Sequence, residues 1–233
     1  MDGVKLAIIQ GEDSMTTKKR ADSGFTLIEI LVTLALSGIV LTAIYTAYQS
    51  QHKTYIAQES VAKMQQNLRA AMYLMTQEIR MAGYDPRGTA GAGIDATSSA
   101  ILIKITKDLD SDGTIDSGNN EDITYSLYTT DDIQKLGRKN PTQNTAVALN
   151  IDALNFIYLD EDDQDINDVG GTVSDIRSVQ ITIVARTGRS DPNYNNTFEY
   201  FNLQGAPIGS YPANDGFHRR ALSTQVKCRN LGL

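Results

Sequence analysis

Cysteine is nearly missing from this chain. Cys228 is alone among 233 residues, so no disulfide can form within it. Any folded domain must rest on its own core or on a bound metal. Tryptophan is absent, and histidine occurs twice, as His52 and His218. Neither fits a zinc-ligand spacing. No G-x-S-x-G elbow offers a nucleophile, and carboxylate pairs are plentiful only in loops that look like metal or solvent sites. The sequence therefore gives no sign of an enzyme. Cations are also short, with 21 Lys and Arg against 28 Asp and Glu and a net charge of −7. Proteins that hold nucleic acid need a basic patch to neutralise phosphates, so no direct nucleic-acid contact is expected. Gly91-Ala92-Gly93 is not a nucleotide loop, because no strand precedes it and the third glycine is missing. Asn195-Asn196-Thr197 has the form of a glycosylation acceptor and nothing nearby to support it.

Charge is most conspicuously missing between Phe25 and Tyr48. There the only formally charged side chain is Glu29, in a run reading FTLIEILVTLALSGIVLTAIYTAY. The run is about two dozen residues long, enough to cross a bilayer as a helix. Lys18, Lys19 and Arg20 lie just before it and would keep the N-terminus on the cytoplasmic side. Two details are odd for a plain anchor. Glu29 sits within the apolar run, where a charge costs about 2.5–3.5 kcal/mol or more. And Gly24 closes the charged leader directly before Phe25.

Those residues carry a resemblance. K-K-R-A-D-S-G-F-T-L-I-E resembles the processing site of type IV prepilins and of type II secretion pseudopilins. The resemblance implies that a membrane peptidase cuts after Gly24 and methylates the new amine of Phe25. It implies that Glu29 attracts the amine of a neighbouring subunit during assembly. A lone carboxylate in lipid does need a cationic partner. Residues 1–24 would then be the leader. Met15 begins a ten-residue basic leader, MTTKKRADSG, and is the expected true start.

Residues 25–48 form the transmembrane half of an expected long helix, and 49–82 an amphipathic half. Residues 49–82 hold neither Pro nor Gly. Val61, Met64, Leu68, Ala71, Met72, Met75, Ile79 and Ala82 make one stripe in steps of three and four. Gly83 is the expected C-cap, and Asp85-Pro86 forbids continuation. Gly38 permits close helix approach or marks local unwinding.

Beyond the helix the period changes to two. Strands are expected at 100–105, around Ile123, Tyr125 and Leu127, at 146–151, at 154–159, at 176–186 and at 220–231. A polar loop, 187–219, separates the last two, and a loop of that length is usually functional or mobile. The expected fold is α+β: a long N-terminal helix packed on an antiparallel sheet, with residues 83–233 as the globular domain. Cys228 is expected in the core.

One constellation has site chemistry. Asp108, Asp110 and Asp112 stand at alternate positions, followed by Gly113, Thr114 and Asp116. This matches the start of a calcium loop in which Thr114 gives its carbonyl. Asn119 stands where the bidentate Glu belongs, so Glu121 or Asp122 would have to reach back. A solvated turn between two strands is the alternative. The second acidic loop, 160–168, lacks the central Gly and reads as solvated.

The helix ending in A-G-Y-D-P, the I-R-S-V-Q-I-T-I strand and the closing V-K-C-R-N-L are similar to PilW-type minor pilins, with the J-type minor pseudopilins of type II secretion as relatives. That resemblance implies a minor pilin which primes pilus assembly. Its partners would be prepilin peptidase, other minor and major pilins, the inner-membrane assembly platform and the lipid bilayer. It would sit in the inner membrane with a periplasmic domain, then in the extracellular pilus. A minor pseudopilin of a secretion or DNA-uptake filament, and a membrane-anchored periplasmic enzyme or sensor, are the alternatives.

Overall fold

The computed structural model describes residues 24–232. The leader, apart from Gly24, and the start at Met15 lie outside the described residues. The chain divides into two compact units, Met1–Gln51 and His52–Leu233.

Helix α1 runs over Leu27–Arg80. In the first unit its large apolar side chains are all exposed, from Leu27 through Tyr48. It is long and apolar enough to cross a membrane. Its hydroxyls are satisfied within the helix. Thr33, Ser37, Thr42 and Thr46 each donate to the carbonyl four residues earlier, so no side-chain donor among them is left without an acceptor.

In the second unit the stripe predicted from the 3.6 period is buried: Met64, Leu68, Ala71, Met72, Met75 and Ile79. Val61 is half-buried against the same core. The helix stops at Arg80, two residues before the expected end at Ala82. The backbone tightens there, with Met81 N–H on Glu78 O and Ala82 N–H on Ile79 O. Gly83 then takes φ +78°, and a Cβ at this glycine would lie 2.5 Å from Leu231 Cδ2. Its N–H donates to Thr106 O at 3.0 Å, while Arg229 N–H reaches the orphan carbonyl of Arg80 at 3.3 Å.

The strands make two antiparallel sheets, where one was expected. The first contains β1 (Leu102–Thr106), β2 (Asp122–Thr130), β3 (Ile133–Lys139) and β4 (Asn144–Leu149), in that order. The second contains β5 (Ile151–Leu159), β6 (Ser178–Arg186) and β7 (Arg219–Lys227). The sheets separate because Asn150, at φ +58°, turns the chain between β4 and β5. This also moves Ile151 from the end of the expected strand 146–151 to the start of the next. Phe156 N–H donates to Ala100 O at 2.8 Å, and the Tyr158 hydroxyl donates to Ser99 O and Leu102 O, which brings β5 beside the start of β1.

β3 was not foreseen. Only Leu136 and Gly137 of IQKLGRK are buried, so no alternation announces it. It follows β2 through Asp131 and Asp132, both at positive φ, the requirement of a tight two-residue hairpin. β6 is buried on both faces. One face joins the core of α1 and the first sheet. The other is covered by loop 187–219, whose Tyr200, Ile208 and Tyr211 pack on Ala153 and Val184. The loop expected to be functional or mobile thus has a structural duty. Cys228 is buried in the main core, and burial pushes its thiol up to about 12.

Candidate functional site

Three sets of residues bear on function, and each follows from a local device. The first is the start of α1. Gly24 and Phe25 are exposed, Phe25 to 86%. The Thr26 hydroxyl accepts the Glu29 N–H at 3.3 Å. The Glu29 carboxylate in return accepts the Thr26 N–H at 2.8 Å and the Thr26 hydroxyl at 2.9 Å. This is a reciprocal capping box on T-x-x-E. It gives Glu29 a partner within its own chain, a role that the processing motif does not announce. Thr26 was missed although its spacing from Glu29 is the signal that marks such a box.

The second set is the acidic loop between β1 and β2. Asp108 is fully buried, and its carboxylate accepts Ser111 N–H at 2.7 Å and Gly113 N–H at 3.0 Å. Glu121 is fully buried as well. Its Oε1 accepts Leu109 N–H and Asp110 N–H, and its Oε2 accepts Asp116 N–H at 2.7 Å. Of the two acids expected to reach back, Glu121 does so. Asp122 instead pairs with Lys104 at 3.3 Å. Asn119 donates to Asp110 and Asp116. Gly113 makes the sharp turn at φ +88° beside Thr89. The backbone N–H and the hydroxyl of Thr114 both turn to Asp112.

Asp108, Asp110 and Glu121 bring one carboxylate oxygen each within 4.8 Å of the others, and so do Asp110, Asp112 and Asp116. Asp110 belongs to both groups. Desolvation and the charges of Asp112, Glu121 and Asp108 push its carboxyl above the usual range. The hydrogen bonds from Thr114 pull Asp112 below it. A hard cation held by either group would meet carboxylate oxygens, the kind of donor calcium takes. The loop is also ordered by its own amides. Asp160 in the second acidic loop is likewise turned to backbone N–H groups, those of Asp162 and Gln164.

The third set was not anticipated. Glu78, on the docked half of α1, accepts Arg138 Nη2 at 2.7 Å and Nε at 3.0 Å, and the hydroxyl of Tyr125. Arg138 also donates to Asn120 at 3.1 Å. The Tyr125 hydroxyl is pushed far up by burial and by Glu78. Lys107 is buried close by, and desolvation pulls its amine down against the attraction of Glu78 and Glu121. Sequence periodicity treats Glu78 as one more polar residue beside the stripe, and Arg138 lies on the strand that was not foreseen.

His218 and His52 are not brought together in a ligand set. His218 stacks on Tyr194 at 3.8 Å and meets Asp191 at 3.3 Å, which pins loop 187–219. Arg219 pins it again through Asp152 and Asp215.

The family model described as the prokaryotic N-terminal methylation motif matches residues 19–45. The model described as prepilin peptidase-dependent protein B matches residues 57–201. No curated protein matches. Among solved structures, a type IV-like pilin from Thermus thermophilus is similar at 14% identity with a TM-score of 0.46, covering 72% of this chain and 98% of that one.

Proposed function

The chain belongs to the prepilin peptidase-dependent protein B family, and from that premise we propose that it is a minor type IV pilin, a non-enzymatic subunit that helps initiate a filament. One observation carries this reading. A methylation motif over 19–45 runs into a helix whose first unit exposes every large apolar side chain and holds one charge, Glu29. Such a surface is soluble only in lipid or among other helices of its kind.

In this reading prepilin peptidase cuts after Gly24 and methylates Phe25. Glu29 then exchanges its bond to Thr26 for the amine of a neighbouring subunit. The chain waits in the inner membrane with its domain in the periplasm, contacts the assembly platform and other pilins there, and leaves in the pilus. Intact-mass measurement of the protein from its native host tests the first step. The expected species begins at methylated Phe25. Membrane-inserted protein that keeps its leader would overturn the reading. Imaging pili after gene deletion tests the second. Loss of pili supports a pilus role, whereas intact pili with failed secretion point to a pseudopilus.

The acidic loop supports a second proposal, that Asp110 shares a calcium ion with Asp108 and Glu121 or with Asp112 and Asp116, Thr114 adding its carbonyl. The favouring observation is the clustering of these carboxylates around one shared residue. Melting with and without calcium tests it.

A further inference from the structure

β7 is the outer strand of the second sheet. Among the described residues it pairs with β6 alone, through nine successive residues without a register shift. Among the described residues no backbone hydrogen bond is made on its other side. The remaining strand edges are managed. β1 is bordered by the segment before it, where Thr106 N–H donates to Gly93 O at 2.8 Å and Asp95 N–H to Lys104 O at 2.9 Å. β5 is met by Ala100. β4 is six residues long and its pairing with β3 carries a bulge. β7 has no proline, no bulge and, among the described residues, no second backbone partner; the one loop that reaches it from outside the sheet does so through a side chain, Gln225 donating to Asp163 at 2.8 Å.

Its flanks are cationic. Arg220 and Lys227 are exposed, as is Arg229 just beyond. None of the three forms an ion pair among the described residues, in a chain whose net charge is −7. Arg219 differs, being consumed by Asp152 and Asp215. Between the cations the exposed positions are Ala221 and Gln225, which are small or neutral.

We propose that the open edge of β7 is a docking strand, and that it takes by β-augmentation an extended segment of a different protein whose carboxylates lie opposite Arg220 and Lys227. Backbone pairing supplies the affinity, and the cations choose the partner. A second copy of this chain does not suit the edge. Antiparallel self-pairing would gather Arg220 and Lys227 of both copies along one seam, and like charges across strands repel. The inference uses only the sheet and does not depend on the filament role.

The test is photo-crosslinking of the full-length protein in its host, with benzoylphenylalanine in place of Ala221 or of Gln225. Both positions should yield an adduct with the same other protein, on an extended peptide bearing Asp or Glu. Arg220→Glu with Lys227→Glu should cut the yield about fivefold, the worth of two ordinary exposed ion pairs. A synthetic copy of the crosslinked peptide, added to detergent-solubilised wild-type protein, should slow amide exchange within 219–227. That readout stands even if the charge-reversed protein folds poorly. Adducts with a second copy, adducts with lipid alone, no adduct, or exchange unchanged by the peptide would each overturn the proposal.

Discussion

Replacing Arg138 by Leu should destabilise the His52–Leu233 unit far more than an ordinary surface change. Arg138 and Glu78 are only 19% and 13% exposed in their side chains. In the variant the Glu78 carboxylate keeps the Tyr125 hydroxyl and loses both guanidinium contacts. Breaking a fully buried pair costs about 3–5 kcal/mol, because the survivor stays charged away from water. Partial exposure lets some water return, so roughly 2–3 kcal/mol is expected here. In a domain of this size that is a fall in Tm of roughly 4–12 °C. The double variant Arg138→Leu with Glu78→Leu should recover much of the loss, since an apolar pair of similar volume needs no charge partner. Urea denaturation of a soluble domain starting at His52, followed by circular dichroism, reads all three proteins. A loss under about 0.5 kcal/mol for Arg138→Leu, the range of ordinary surface changes, would refute the reasoning. So would strict additivity of the two changes, because two groups that satisfy each other cannot be removed independently.

Gly24→Ala should leave the precursor uncut, seen as retained leader mass, although a Cβ there meets nothing within 4 Å in the folded chain. Glu29→Gln keeps an acceptor for Thr26 N–H and should preserve the helix start and membrane insertion while lowering pilus number; normal pili and normal co-purification with other pilins would remove Glu29 from assembly. The soluble domain should melt higher in millimolar calcium than in chelator, by about 2.7 kcal/mol of stabilisation at a hundredfold excess over Kd, and Asp110→Ala with Asp112→Ala should abolish the difference; equal melting leaves a solvated turn. Lys107→Met should stabilise the domain at neutral pH. Burial holds the amine below its ordinary value near 10.5, so the unfolded chain binds more protons in the window just beneath that value. Wild-type stability should therefore rise with pH through the window, and the variant should lose that slope.

The parts of the fold legible in the sequence are those where one physical demand dominates. A bilayer requires an uncharged run, so residues 25–48 stand out. A helix with one buried side requires the 3.6 period, so the spacing of Met64 to Ile79 alone places them on the core. β6 is apolar at nearly every second position and was equally plain. β3 was hidden because its place is fixed from outside, by the hairpin at Asp131-Asp132 and by Arg138 reaching back to Glu78. The two-sheet division depends on one left-handed residue, Asn150, which apolar alternation cannot register.

The candidate sites divide along the same line. Gly24, Phe25 and Glu29 form a linear motif and could be read in order. Glu121 lies thirteen residues from Asp108, and only folding shows that it, not Asp122, closes the loop. The Glu78 network has the greater consequence for a protein of this family. Any force along α1 within the His52–Leu233 unit must be resisted where the helix meets the sheets. The apolar stripe supplies contact there but little directional grip, since Met and Leu slide over one another at small cost. A bidentate guanidinium on β3 does resist sliding, because its bonds fail within about an ångström. A charge pair at that place contributes less to net stability than an apolar pair could. What it adds is direction: it holds the docked half of α1 in one register on β3.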